Sequence, residues 1–238
     1  MSGKLAIVIT ALAATVSALP TKELNARNGD QYNFYTGNGS DGAGWPDGAN
    51  WTLWGDVWNA NVPLLQQSCG WNGWGANNSG DEINAINDAI QQISGPAGLD
   101  PRFVLAVMMQ ESKGCVRVPT TNNGVTNPGL MQSHNGAGSC AGQNPCPRSQ
   151  IFQMIQDGVT GTSSGAGLQQ LLAQARNVVQ DFGGGPSSRA YYAAARLYNS
   201  GSADYNNLDN GLGSTACYAS DVANRLTGWT LAASQCRA

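Results

Sequence analysis

Six cysteines constrain the fold of this chain more than any other feature of its sequence. An even number of cysteines is typical of disulfide bonding in an oxidising compartment. Cys140 and Cys146 enclose a short loop rich in glycine, asparagine and proline, so we expect them to pair with each other. The expected bridges are Cys140–Cys146, Cys217–Cys236 and Cys69–Cys115. None of the spacings is the CxxC pair of a zinc site, so we expect no bound metal.

The N-terminus has the pattern of a secretion signal. Lys4 precedes an apolar run over 5–16, and Val16-Ser17-Ala18 supplies the pattern that comes before a cleavage site. The run is too short to span a membrane. The sequence therefore predicts a signal peptide over 1–18, a candidate pro-segment over 19–28, and a secreted, extracellular protein. A buried N-terminal helix is the alternative.

The charge of the chain excludes several classes of partner. Its formal net charge is −3, and only 11% of its residues are charged. Nucleic-acid binding depends on clusters of Lys and Arg, so we expect no nucleic-acid partner. No apolar run reaches the roughly 18 residues of a membrane span, so we expect no membrane partner. His134 is the single histidine, which removes most histidine-based metal sites. We also expect a monomer without a cofactor.

Residues 29–80 are rich in Gly, Asn and Trp and have little periodicity. They predict an irregular extension packed on the main body, with a helical turn around 54–65. Its N-glycosylation sequons fit a secreted chain and are at Asn38, Asn50 and Asn77. Its tryptophans are Trp45, Trp51, Trp54, Trp58, Trp71 and Trp74. They either form a platform on which sugars stack or fill the contact between extension and body, and we favour the second role.

The pattern becomes helical over 81–238. Asp81 is the expected cap of the first helix, while Asp100, Pro101 and Gly114 mark the ends of the second. The predicted helices are 81–93, 100–114, 148–157, 166–181, 187–199 and 217–227. Between them, β-branched residues within 115–134 predict a small β-hairpin. The expected fold class is therefore mainly α with a small β-hairpin.

Glu111 is the strongest candidate for catalysis. It stands in the last turn of a helix that is apolar on every side, on the same face as Val104, Val107 and Met108. Apolar surroundings and the negative end of the helix both raise the pKa of a carboxyl group. A carboxyl that keeps its proton near neutral pH can act as a general acid. A glutamate that simply extends into solvent at a helix end is the alternative.

Three motifs resemble those of goose-type lysozymes and soluble lytic transglycosylases, which form glycoside hydrolase family 23. They are Glu111-Ser112, Asn-Pro-Gly-Leu-Met-Gln at 127–132, and Leu-Tyr-Asn-Ser-Gly at 197–201. Their order and separations agree with the family, and the resemblance covers roughly 82–228. It implies that 81–238 is a lysozyme-like (α+β) catalytic domain with the hairpin beside its cleft. It also implies an enzyme that cleaves β-1,4 bonds of peptidoglycan.

The resemblance assigns roles to particular side chains. Glu111 becomes the catalytic acid and base, and Gln132 lies on the cleft floor where its amide binds sugar. Tyr198 points toward the catalytic glutamate, and Asn199 helps to hold the site. Ser112 lines the start of the hairpin, or else serves only as a hydroxyl at the helix end. Without the resemblance, Tyr198 would be interpreted as a core aromatic.

One departure from the family bears on the mechanism. Goose-type lysozymes carry further acidic residues that help to activate water, but 112–134 contains no Asp or Glu. Asn123 and His134 stand where such acids are expected and could hold a water molecule, as could a distant Asp204 or Asp209. The alternative is a transglycosylase-like route, in which one glutamate serves as acid and then as base.

Two further functions stay open. Chitin is a neutral β-1,4-linked substrate that suits an acidic protein with no attraction to bacterial surfaces. A non-catalytic protein that binds glycans could use the same scaffold, because a fold does not fix a function. In each case the expected partner is a polysaccharide.

Overall fold

The computed structural model describes residues 29–179 and 188–237. Within these residues the chain forms eight α-helices and one two-stranded antiparallel sheet, so the expected class is confirmed. The expected signal peptide over 1–18 and pro-segment over 19–28 lie outside the described residues. In the described ranges, no helix is long and apolar enough to cross a membrane.

Six of the helices correspond to predicted ones, whereas the one at Ser68–Trp71 was not predicted; the predicted bounds at 181 and 187 lie outside the described residues. The helices are α1 Trp54–Leu65, α2 Ser68–Trp71, α3 Gly80–Ser94, α4 Pro101–Ser112, α5 Arg148–Thr160, α6 Leu168–Val179, α7 Ser188–Ser200 and α8 Tyr218–Leu226. The hairpin is formed by β1 Thr121–Asn122 and β2 Thr126–Asn127, with Thr121 opposite Asn127. Two short 3-10 turns, Asp41–Ala43 and Gly48–Asn50, precede α1. The predicted helical turn near residue 54 is thus a full helix of 12 residues.

The helix ends show why α4 stops where it does. Asp100 accepts a hydrogen bond from the amide of Arg102, as predicted. The helix ends at Ser112, and the C-cap residue Lys113 is in the left-handed region (φ 56°). Gly114 follows, also with positive φ, and a Cβ there would stand 2.1 Å from the Leu65 side chain. Only glycine permits this approach between α4 and α1.

The predicted cap of α3 was wrong. Ser79, not Asp81, is the N-cap, and it forms a capping box with Glu82. Asp81 lies inside the first turn, where its charge still favours the helix end.

Helix α4 lies in the core. Its residues 103–109 are all buried, as expected of a helix that is apolar on every side. It packs against α3 and α8, while α7 contacts both α6 and α8. The end of α4 is therefore enclosed by other helices.

The N-terminal segment joins the same core. Trp45, Trp51 and Trp58 are buried within it. The Trp51 indole N–H donates to the Tyr192 hydroxyl over 2.9 Å, linking the segment to α7. These three rings fill the contact between segment and body, whereas Trp71 is 58% exposed.

All three disulfides pair as predicted. They are Cys69–Cys115, Cys140–Cys146 and Cys217–Cys236. The first ties α2 to the loop after α4, and the last ties the C-terminal residues to the start of α8. Of the sequon asparagines, Asn50 and Asn77 are exposed and Asn38 is half-buried.

Candidate active site

Glu111 is held between two helices. It lies one residue before the end of α4 and is half-buried. Its Oε1 atom accepts a hydrogen bond from the hydroxyl of Tyr218, the first residue of α8. Because α4 and α8 pack against each other, this contact joins residues that are far apart in the sequence.

The surroundings of Glu111 favour its protonated form. Burial raises its pKa from about 4.5 to about 7, although the Tyr218 hydrogen bond and the charge of Lys113 both lower it. The direction and the first cause agree with the sequence prediction. A carboxyl group with this pKa holds a proton in a substantial fraction of molecules at neutral pH, which suits a general acid.

Tyr198 stands beside the same carboxyl group. Its hydroxyl donates to the Met131 carbonyl over 2.8 Å and lies 3.5 Å from the Ser133 hydroxyl. Burial raises the pKa of Tyr198, and the negative charge of Glu111 raises it further. Tyr198 therefore links α7 to the 127–132 motif and lies within electrostatic range of Glu111.

Gln132 braces the hairpin. Its backbone is left-handed (φ 47°). Its amide nitrogen donates to the carbonyls of Gly129 (3.0 Å) and Pro119 (3.3 Å), and its amide oxygen accepts from the Thr121 hydroxyl (2.9 Å). Binding a sugar through this amide would require the exchange of one of these bonds.

The other predicted site residues lie in different settings. Ser112 is fully buried and its hydroxyl donates to the Met108 carbonyl, so it serves the helix end rather than a ligand. Asn199 keeps a buried amide oxygen without a hydrogen-bond partner among the described residues. Asn123 and His134 are both exposed, and neither side chain hydrogen-bonds to Glu111.

No second carboxylate in the described part of the chain contributes to the pKa of Glu111. Asp204 accepts a hydrogen bond from the amide of Asn206 within its own loop. Burial raises the pKa of Asp209 to about 6, opposed by the charge of Arg196. Neither of these distant acids hydrogen-bonds to Glu111.

A polar network behind Glu111 fixes α4 to α8. Asp221 accepts hydrogen bonds from the Tyr32 hydroxyl (2.6 Å) and the Gln110 amide (2.8 Å). Arg225 donates to the Gln110 amide oxygen over 3.0 Å. Lys113 stands nearby, and burial and the charge of Arg225 lower its pKa to about 8.

Two residues that shape the site, Tyr218 and Asp157, were not singled out from the sequence. Tyr218 follows Cys217 directly at the start of a predicted helix, and no motif marks it. Asp157, on α5, accepts the amide N–H groups of Ala137 and Gly138 over 2.7 and 2.9 Å and so fixes the loop after the hairpin. An aromatic residue directly after a cysteine was the only signal in the sequence that could have pointed to Tyr218.

Other binding features lie apart from Glu111. A surface cavity of about 370 Å³ is formed where α3 and α5 begin, and its lining includes Ser79, Asp81 and Arg148 but not Glu111. In the described ranges, no group of three His, Cys, Asp or Glu side chains could hold a metal ion.

Comparison with known protein families and with curated proteins finds no match for the chain.

Proposed function

We propose that the protein is a secreted glycosidase that cleaves the β-1,4 bonds of peptidoglycan, with Glu111 as general acid and then base. The observation that carries this proposal is the half-buried Glu111 carboxyl, whose pKa is raised to about 7 and which accepts a hydrogen bond from Tyr218. Glycosidases need such a group to protonate the leaving oxygen.

The arrangement of the three sequence motifs supports the same proposal. Tyr198 of the third motif donates to the Met131 carbonyl of the second, and its phenol responds to the charge of Glu111 in the first. Segments that resemble those of glycoside hydrolase family 23 thus meet in space. A lysozyme-like catalytic domain is the scaffold that this proposal implies.

The disulfides support an extracellular location. Three bridges involve all six cysteines of the chain. Structural disulfides persist in oxidising compartments and are rare in the cytosol. They fit a protein that acts on cell-wall polymers outside the cell.

The mechanism favoured by the site is transglycosylation. Inverting hydrolysis needs a second carboxylate about 6.5–9.5 Å from the acid to activate water, and the stretch 112–134 contains no Asp or Glu to serve as one. Glu111 would donate its proton to the glycosidic oxygen as the bond to the sugar breaks. The resulting carboxylate would then accept the proton of a hydroxyl group of the same sugar, which is already in position to attack.

Product analysis tests the function and its mechanism together. Purified protein is incubated with peptidoglycan and, separately, with chitin oligomers, and the products are measured by mass spectrometry. We expect muropeptides with an anhydro end, one water lighter than a hydrolytic end, and none from Glu111→Gln. Reducing ends carrying solvent oxygen would show hydrolysis instead. Binding of either polymer without any cleavage would reject the enzyme and favour a glycan-binding protein.

A further inference from the structure

Arg196 is a fully buried arginine on α7, two residues before Tyr198. Its Nη2 atom donates to the carbonyls of Thr215 (2.7 Å) and Ala216 (3.1 Å). These carbonyls belong to the backbone just before α8, which begins at Tyr218. Arg196 therefore fixes the point from which the Tyr218 side chain extends.

Arg196 also contacts the Tyr218 ring itself. The centre of its guanidinium group lies 5.9 Å from the ring centroid, within the range of a cation–π contact. Burial raises the pKa of Tyr218, and the positive charge of Arg196 acts in the opposite direction. A nearby cation thus makes the Tyr218 phenol a stronger hydrogen-bond donor to Glu111.

The rest of the guanidinium group is unpaired by protein atoms. Its Nε and Nη1 atoms are buried without a hydrogen-bond partner, and so are both carboxyl oxygens of Asp209. The two side chains form no direct ion pair within 4.0 Å, yet each shifts the pKa of the other. The charge of Asp209 therefore helps to hold the guanidinium group in place.

We propose that Arg196 is a positioning residue for the Glu111 acid: by fixing the backbone just before α8, it holds Tyr218 where the phenol donates to Glu111. The inference deepens the proposed function and rests on it, because it concerns the acid that the function requires.

Charged and titratable groups surround both Glu111 and Arg196. Tyr218, Tyr198 and Lys113 face Glu111, from α8, α7 and the end of α4. Asp209, Asp221 and Tyr218 face Arg196. Arg196 is connected to Glu111 through Tyr218, whose ring it contacts and whose hydroxyl donates to the carboxyl group.

The test measures the pKa of Glu111 by NMR in protein labelled with carbon-13 at the glutamate carboxyl groups. Glu111→Gln identifies the signal by its disappearance. Arg196→Lys keeps the charge but loses the planar fork that binds two carbonyls. We expect the pKa of Glu111 to rise by about one unit, because a hydrogen bond that favours its charged form is lost. In a Tyr218→Phe background, the same substitution should add no further shift.

Arg189→Lys is the matched control. Arg189 is on the same helix and donates to the carbonyls of Asn38 and Tyr205, which do not precede Tyr218. It should leave the pKa of Glu111 unchanged. If Arg196→Lys does not fold, Asp209→Asn carries the test, with a smaller rise that again needs the Tyr218 hydroxyl.

Two results would overturn the proposal: no shift in a folded Arg196→Lys protein, or an equal shift with and without the Tyr218 hydroxyl. The readout does not depend on turnover. The expected shifts in a protein that cleaves no glycan would reject the proposed function while supporting the positioning role.

Discussion

The helix side of the site, formed by α4, α7 and α8, is enclosed and hydrogen-bonded, whereas its hairpin side, residues 121–127 and His134, is mostly exposed. On the helix side, Glu111 and Tyr218 are joined directly and backed by the Gln110–Asp221–Arg225 network. On the hairpin side, Asn123 and His134 have no such support. Proton transfer requires a fixed and desolvated group, so we assign it to the helix side.

The largest effect should come from the helix side. Glu111→Gln removes the titrating proton while keeping the size of the side chain, and general acid catalysis is typically worth about 10²–10⁴-fold. We therefore expect kcat on peptidoglycan to fall by at least about 10²-fold, with little change in the circular dichroism spectrum. Turnover close to that of the native protein would remove Glu111 from the mechanism.

Tyr218→Phe should change the pH profile. The Tyr218 hydrogen bond lowers the pKa of Glu111, so its loss lets the acid keep its proton to higher pH. The descending limb of kcat/KM should move upward by about one pH unit. Tyr198→Phe is the control, because the Tyr198 hydroxyl donates to Met131 rather than to Glu111. Equal shifts in both variants would contradict the special role of Tyr218.

Glu111 should also make stability depend on pH. Its pKa in the folded protein, about 7, is above its ordinary value of about 4.5. The folded state therefore binds the proton more tightly, and this stabilisation is complete below about pH 4.5 and lost as pH rises through about 7. The Glu111→Gln variant cannot ionise at this position. The Tm of the variant minus the Tm of the native protein should therefore be larger at pH 8 than at pH 4. The difference between the two pKa values corresponds to about 3 kcal/mol, or roughly 6–12 °C.

Thermal unfolding followed by circular dichroism at the two pH values checks this prediction. Asn123→Asp is the matched variant on the hairpin side, since it places a new carboxyl group at an exposed position. Its Tm difference from the native protein should be nearly the same at both pH values. A Glu111→Gln protein with no such dependence would show that burial does not disfavour the carboxylate.

The smallest effects should come from the hairpin side. Asn123→Ala and His134→Ala remove exposed side chains that do not hydrogen-bond to Glu111. We expect less than about a threefold change in kcat/KM, because surface substitutions away from a fixed contact change free energies by roughly 0.5 kcal/mol or less. A loss above tenfold in either variant would move part of the chemistry to the hairpin and favour hydrolysis by a water held there.

Much of the framework could be predicted from local sequence patterns. The Asp100 cap, the apolar residues after it and the six cysteines predicted α4 and the three bridges. Glu111 stood out for the same reason, since an acid at the end of an apolar helix is placed by that helix alone. The Asp81 cap was wrong because Ser79 and Glu82, three residues apart, satisfy each other's backbone groups in a capping box.

What the sequence by itself determined is therefore most of the helices, the pairing of the cysteines and the glutamate at the end of an apolar helix. These depend on periodicity, caps and spacing, which act over a few residues. Only the tertiary structure decided that Tyr218 donates to Glu111, that Gln132 braces the hairpin, and that Arg196 lies behind Tyr218. Glu111 and Tyr218 are 107 residues apart in the chain. Their contact exists because α4 and α8 pack together, and packing depends on side chains from the whole core.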